Sequence, residues 1–184
     1  MIAYHGSAVH GLHTLTPFAN QHSNLTYPCV YLSTNEALAS IYVWKHPFKW
    51  MTFEIHGDKP VYNEAYEGCL QELYGGVSGC IYTCDSDFET DENTTISFAV
   101  ISKEPVPVLS VEYVGDAYER ILQFEAEGKL IINRYATLSD EQLQRDRRMV
   151  LGAIKRFGLL RGEHPLSEFV AKKFPHLWDA ARGL

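Results

Sequence analysis

The sequence has no Gly-rich phosphate loop, no HExxH, no GxSxG and no CxxC. The motifs that announce P-loop, zinc-protease, α/β-hydrolase and dithiol redox chemistry are therefore missing. Arginine is absent from residues 1–114. Cysteine is scarce, and Cys29, Cys69, Cys80 and Cys84 lack zinc-ligand spacing. Cys80 and Cys84 fall on one face of an alternating strand. The pattern predicts reduced, partly buried thiols of a cytosolic protein. His10 and His13 have helical spacing but lie in an expected loop with no carboxylate or thiolate beside them, so no metal is expected there. There is no basic n-region backed by an apolar run and no segment of transmembrane length, which predicts a cytoplasmic location.

What is present is ordinary globular chemistry. The 184 residues are 46% hydrophobic and 21% charged, enough for one cored domain or one domain with an extension. The formal net charge of −7 is unevenly spread. Residues 1–138 hold seven Lys and Arg against seventeen Asp and Glu, and residues 139–184 hold nine against six. The acidic body carries no electrostatic footprint for duplex nucleic acid.

Ile2 to Ser7 (IAYHGS) alternates into a Gly-Ser break and predicts a strand ending in a tight turn. Residues 8–28 read as a loop with at most a short helix around Leu12 to Phe18. Strands are expected over Trp50 to Gly57, Pro60 to Glu64, Gly79 to Cys84, Ile96 to Ser102 and Val106 to Val114, with helical turns over Cys69 to Tyr74. Pro105 and Pro107 restrict the last strand to an edge or entry position. Asp85, Asp87, Glu89, Asp91 and Glu92 form a solvated acidic loop, because the tight-turn glycine of a calcium loop is missing. Beyond Val114 the texture becomes helical. Asp116 with Glu119 and Ser139 with Gln142 are capping boxes, and Leu143, Val150, Ile154 and Phe157 keep helical spacing up to Gly158. Two further helices follow over Pro165 to Lys173 and His176 to Arg182. The order predicts an α+β protein, with a core over residues 1–114 and a helical extension over 115–184 packed on it.

The stretch Val30 to Tyr42 (VYLSTNEALASIY) reads as a strand turning directly into a helix capped by Ser33 and Glu36. It carries Tyr31 and Tyr42 eleven residues apart. Such a pair suits two core tyrosines with hydroxyls at the surface, and it equally suits two rings facing one cleft.

Taken with His5-Gly6-Ser7 upstream and Glu104 in KEPVPV downstream, this stretch resembles the ADP-ribosyltransferases of the H-Y-E type, the diphtheria-toxin and poly(ADP-ribose) polymerase branch. YHGS, the paired tyrosines and the late glutamate match that family's three stations in order, over roughly residues 2–114. The resemblance implies a split antiparallel sheet that binds NAD+ as co-substrate without a metal. It implies that Gly6 offers its backbone to the nicotinamide carboxamide, that His5 bonds the adenosine ribose, and that Tyr31 and Tyr42 sandwich the nicotinamide ring. Glu104 would accept a hydrogen bond from the nicotinamide ribose and stabilise its developing positive charge; Glu64 in VYNEA is the competing candidate. The polymerases usually have a serine where this chain has Ala39, so Ser40 or Ser7 is left to compensate.

The implied reaction is mono-ADP-ribosylation of a macromolecule by a small stand-alone microbial toxin, defence or regulatory factor. The acidic loop favours a basic protein acceptor over nucleic acid. Transfer of an RNA phosphate onto NAD+ would need arginines that residues 1–114 lack. The alternatives are RNA or DNA as acceptor, or an inactive module that binds NAD+ or ADP-ribose. The helical extension is expected either to cover the sheet or to offer a surface to substrate or an inhibitory partner.

Overall fold

The computed structural model describes residues 1–19, 25, 27–45, 51–94 and 96–183, and for residues 51–53 the backbone alone. The chain is α+β, with antiparallel strand pairing. The strands are β1 (Ile2–Ser7), β2 (Thr14–Leu15), β3 (Val30–Ser33), β4 (Met51–His56), β5 (Lys59–Glu64), β6 (Gly79–Asp85), β7 (Ala99–Ser102), β8 (Val106–Pro107), β9 (Ser110–Val114) and β10 (Ile131–Asn133). The helices are α1 (Glu36–Ser40), α2 (Cys69–Tyr74), α3 (Ala117–Ala126), α4 (Asp140–Arg156), α5 (Leu166–Lys173) and α6 (Pro175–Arg182). The expected strand start at Trp50 lies outside the described residues.

Two compact units emerge. The first comprises Met1–Pro47, Phe53–Tyr62 and Leu70–Ile132, the second Phe48–Thr52, Asn63–Cys69 and Asn133–Leu184. The helical part expected to begin at residue 115 thus gives up α3, which belongs to the first unit.

In the first unit a five-stranded sheet runs in the order β7-β3-β1-β6-β9. β1 lies at its centre because it alternates cleanly and ends in residues small enough to be covered. It pairs with β6 along its whole length, from Ile2↔Asp85 to Ser7↔Cys80, but registers against β3 at Tyr4↔Ser33. Strand alternation puts Ala3, Val30, Leu32, Cys80, Tyr82, Cys84 and Val100 into one apolar cluster, joined by Leu15 from β2 and Val106 from β8. The opposite face of β1 carries α1, which also packs against α3. The buried side of α3 supplies Ala117, Ile121 and Phe124. β9 is an edge strand, as its neighbouring prolines predict. All four cysteines are buried and none is in a disulfide.

Three local expectations are corrected. No helix forms around Leu12 to Phe18. Thr14–Leu15 pairs with Val106–Pro107, and Phe18 bridges Cys29 through paired backbone bonds of 3.3 Å, so extended pairing takes the backbone groups a helix would have used. α1 is capped by Asn35, whose Oδ1 accepts from Leu38 N at 2.9 Å, while Ser33 Oγ is occupied by the Asn35 backbone. α1 also stops at Ser40, so Tyr42 sits in the turn beyond the helix. The expected strand over Val106 to Val114 is split by Val108 and Leu109 into β8 and β9.

In the second unit α4, α5, α6 and the short 3-10 turn Leu159–Arg161 pack together. Val150, Ile154, Leu159, Leu166, Val170, Phe174, Leu177 and Trp178 fill its interior. Tyr66 meets Phe169 and Phe174 edge-on, at 6.1 and 5.8 Å between ring centroids. The Ser139–Gln142 capping box forms as predicted, with Asp140 and Glu141 at the N-terminus of α4 and Lys155 and Arg156 at its C-terminus, both favourable to the helix dipole. No helix among the described residues is long and apolar enough to cross a membrane.

Candidate functional site

His5 Nδ1 lies 2.8 Å from the Tyr31 carbonyl oxygen. A carbonyl only accepts, so Nδ1 carries the proton and donates. Burial pushes the His5 imidazole below its ordinary value, outweighing the Tyr31 carbonyl, which acts in the opposite sense. The ring is therefore neutral at pH 7, and its Nε2 is an acceptor suited to a hydroxyl. Across the β1–β6 pair His5 faces Tyr82, with ring centroids 6.5 Å apart. The Tyr82 hydroxyl donates to Val9 O at 2.7 Å and accepts from Leu12 N at 3.3 Å. Ser7 Oγ accepts from Val9 N at 3.1 Å. The chain leaving β1 is thus held down on both sides of Val9.

Gly6 is required by packing. A Cβ at that position would stand 1.9 Å from Ala39 O and 3.3 Å from Tyr42 Cβ. The end of α1 therefore rests directly on the β1 backbone, and the same carbonyl accepts from Tyr42 N at 2.9 Å. Gly79, at the start of β6, is equally constrained, since a Cβ would stand 2.3 Å from Ser7 O and 2.5 Å from Val43 Cγ1. Two glycines thus draw β1, β6 and the segment after α1 together.

Tyr31 packs beside Leu25, Cys29, Ile101 and Tyr27. Tyr42 is 37% exposed. Desolvation, and secondarily the Tyr31 phenol, push its hydroxyl above the ordinary tyrosine range. The Tyr42 ring also stacks on Trp44, at 5.5 Å and 29°. His5, Gly6, Tyr31 and Tyr42 are brought together, while Trp44 and Tyr82 went unread in the sequence. The Y-x-W spacing beyond α1 hinted at Trp44, whereas Tyr82 depends on a strand register that only the folded chain displays.

The remaining candidates are placed differently. Ser40 is buried, and its hydroxyl donates to Ala37 O at 2.7 Å, so it is committed to its own helix. Glu104 is exposed in the turn between β7 and β8, with its N–H donating to Ser102 Oγ at 3.2 Å and its carbonyl accepting from the same hydroxyl at 2.8 Å. The Val30↔Ser102 register sets the end of β7 beside the start of β3, at the sheet end where β1 terminates. Glu64 is buried in the second unit, where its carboxylate accepts from Tyr135 N at 3.2 Å, a structural task.

The acidic loop is tied down by its own carboxylates. Asp85 pairs with the N-terminal ammonium at 2.8 Å and Glu89 with Lys103 at 3.1 Å. Asp91 accepts from the Tyr27 hydroxyl and from the backbone and side chain of Asn93. That hydrogen bond pushes the Tyr27 phenol up to about 12 and, with Asn93, holds Asp91 below its ordinary value. No grouping of three or more His, Cys, Asp or Glu able to hold a metal occurs among the described residues. Comparison with protein-family models, with curated proteins and with solved structures finds no match.

Proposed function

We propose that this chain is an NAD+-dependent mono-ADP-ribosyltransferase of the H-Y-E type, built on that family's split antiparallel sheet. The observation that carries the reading is the His5–Tyr31 hydrogen bond, which joins the first two stations by a direct contact at the end of the central strand. A continuing β1–β3 ladder would set Gly6 against Tyr31; instead the Tyr31 carbonyl takes the His5 imidazole. The Gly6 backbone is then the natural partner of a carboxamide, which offers one donor group and one acceptor. Tyr31 and Tyr42 supply flat apolar faces for the nicotinamide ring. Neutral His5 offers Nε2 to a ribose hydroxyl.

In the reaction the bond from ribose C1′ to the nicotinamide nitrogen breaks and its electron pair stays with nicotinamide, which leaves neutral. Positive charge develops on the ribose, and an acceptor nucleophile adds at C1′ and loses its proton. Glu104 is the carboxylate assigned to that charge, a contribution of about 10²–10³ in rate for one well-placed group. A basic protein is the favoured acceptor, because of the acidic loop. A second reading, a module that binds NAD+ without turning it over, is favoured by the inward commitment of Ser40 and the exposed turn that holds Glu104.

The test is incubation with nicotinamide-labelled NAD+. Release of nicotinamide that falls about 10²–10³-fold in Glu104→Ala supports transfer chemistry. Binding without release favours the module, and neither binding nor release overturns the assignment. Loss of turnover in Glu64→Ala at unchanged stability, with Glu104→Ala active, would move the third station.

A further inference from the structure

The second unit carries a feature the transferase reading does not use. Between α4 and α5 the sequence RFGLLRGEHP (156–165) brackets Leu159, Leu160 and Arg161 with two glycines. Both are left-handed, Gly158 at φ 59° and Gly162 at φ 78°, a conformation glycine adopts freely. The turn they shape is anchored. Leu159 is fully buried, its carbonyl accepts from the buried Ser167 hydroxyl at 2.8 Å, and Arg161 N donates to Gly158 O at 3.1 Å. What this rigid turn presents outward is apolar and cationic. Phe157 is 43% exposed and stacks on His164 at 5.4 Å and 27°, and the Arg156 guanidinium lies 5.5 Å from the Phe157 centroid. Beside them is an open cleft of about 230 Å³ lined by Phe157, Gly158, Arg161, Glu163, His164 and Pro165. It is smaller than the roughly 300–1,000 Å³ of drug-sized sites, and suits a single flat ring.

A cationic stripe leads to this cleft. Arg148 and Lys155, seven residues apart, lie on the exposed side of α4 with Gly152 between them. A Cβ at Gly152 would meet nothing within 4 Å, so packing does not explain a mid-helix glycine that costs about 1 kcal/mol relative to alanine. No ion pair among the described residues engages Arg148, Lys155, Arg156 or Arg161. The second unit holds eleven Lys and Arg against eight Asp and Glu, a charge of +3, where the first holds five against fifteen. Glu163 is the carboxylate in the cleft.

We propose that the α4–α5 turn and the exposed side of α4 form a docking site for single-stranded nucleic acid. The Phe157–His164 stack, with the Arg156 guanidinium over the Phe157 ring, offers an aromatic surface for a base at the cleft, and a cationic track follows its phosphates. An acidic protein could also cover the ring, but the single-ring size of the cleft matches a base, and a duplex keeps its bases out of reach of so short a turn. The site does not depend on the NAD+ reading.

The experiment is fluorescence anisotropy of labelled oligo-dT and oligo-U with the full chain, without NAD+, from about 50 mM salt upward. Four phosphate contacts predict a slope of log K against log salt of about −3. Phe157→Leu is expected to weaken binding about tenfold with the slope unchanged. Arg156→Gln and Arg161→Gln should each weaken binding and flatten the slope by about 0.7. These positions are exposed, and circular dichroism checks that the variants fold. No binding at about 50 mM salt overturns the proposal. So does displacement by polyglutamate as effective as by unlabelled oligo-dT, together with a silent Phe157→Leu. Neither result bears on nicotinamide release.

Discussion

At the scale of single residues, Gly6 is the position where local chemistry is least negotiable. A methyl group there would collide with a backbone carbonyl at 1.9 Å, and backbone yields only if the end of α1 moves. Gly6→Ala is expected to destabilise by about 3 kcal/mol, the upper end of overpacking costs, and to lower the thermal midpoint by roughly 6–12 °C. Differential scanning fluorimetry checks it. A change within 1 °C would mean that α1 does not rest on β1 as described. The resemblance implies that Gly6 offers its backbone amide and carbonyl to a ligand; that its missing side chain also seats a helix is not legible in the sequence, because the contact joins residues 33 positions apart. The bond between His5 and the Tyr31 carbonyl was hidden for the same reason, although the residues themselves stood out by type and order.

At the scale of elements, strands with clean alternation and a helix closed by glycines were legible nearly to the residue: β1 as Ile2–Ser7, the body of β6 and α2 as Cys69–Tyr74 all follow from pattern and punctuation. Errors fell where two local solutions compete. STNE offers Ser33 and Asn35 as caps, and the choice goes to Asn35 because the Ser33 hydroxyl closes a turn onto the Asn35 backbone. Ile131–Asn133 was missed because a three-residue strand has too little pattern of its own and exists through its partner β5. Asp116 gives an element-scale prediction. Its Oδ1 caps α3 through Tyr118 N and Glu119 N, and its Oδ2 accepts from Gly76 N at 2.8 Å, tying the helix start to the turn after α2. Asp116→Ala should cost about 2 kcal/mol in chemical denaturation, against about 1 kcal/mol for Asn35→Ala, which removes the cap on Leu38 N and an exposed 3.3 Å bond from Asn35 Nδ2 to Asp58 O. Equal losses would overturn the larger share given to Asp116.

At the scale of the whole molecule, the titrating groups set a pH profile whose sign is fixed. His5 has a folded value below 6.5, so the unfolded chain takes up its proton first and stability declines as pH falls below about 6.5 toward the lowered folded value. Asp91 and Glu127 are held below 3.8 and 4.5, so what they contribute is present above those values and lost as pH falls through the folded ones. Tyr27, raised from 10.0 to about 12, contributes stability that is lost as pH rises across that interval. Urea titrations between pH 4.5 and 8 should show a decline toward acid in the parent that is flattened in His5→Gln. An identical slope in both proteins would remove His5 as its cause. The α+β class was readable from the order of elements and the acidic-then-basic division from composition; the boundary near residue 132 was not, because α3 reads as one more amphipathic helix until its partners are known.

The glycine contact of α1 on β1 has a mechanical meaning. On the face of β1 that meets α1, the next position back along the strand is Tyr4, whose side chain leaves no room for the Ala39 carbonyl. The helix end is therefore keyed to one register and has no neighbouring notch into which it can slip. The turn that carries Tyr42 is thereby fixed in its spacing from the strand that carries His5, and a substitution at Gly6 would disturb both together.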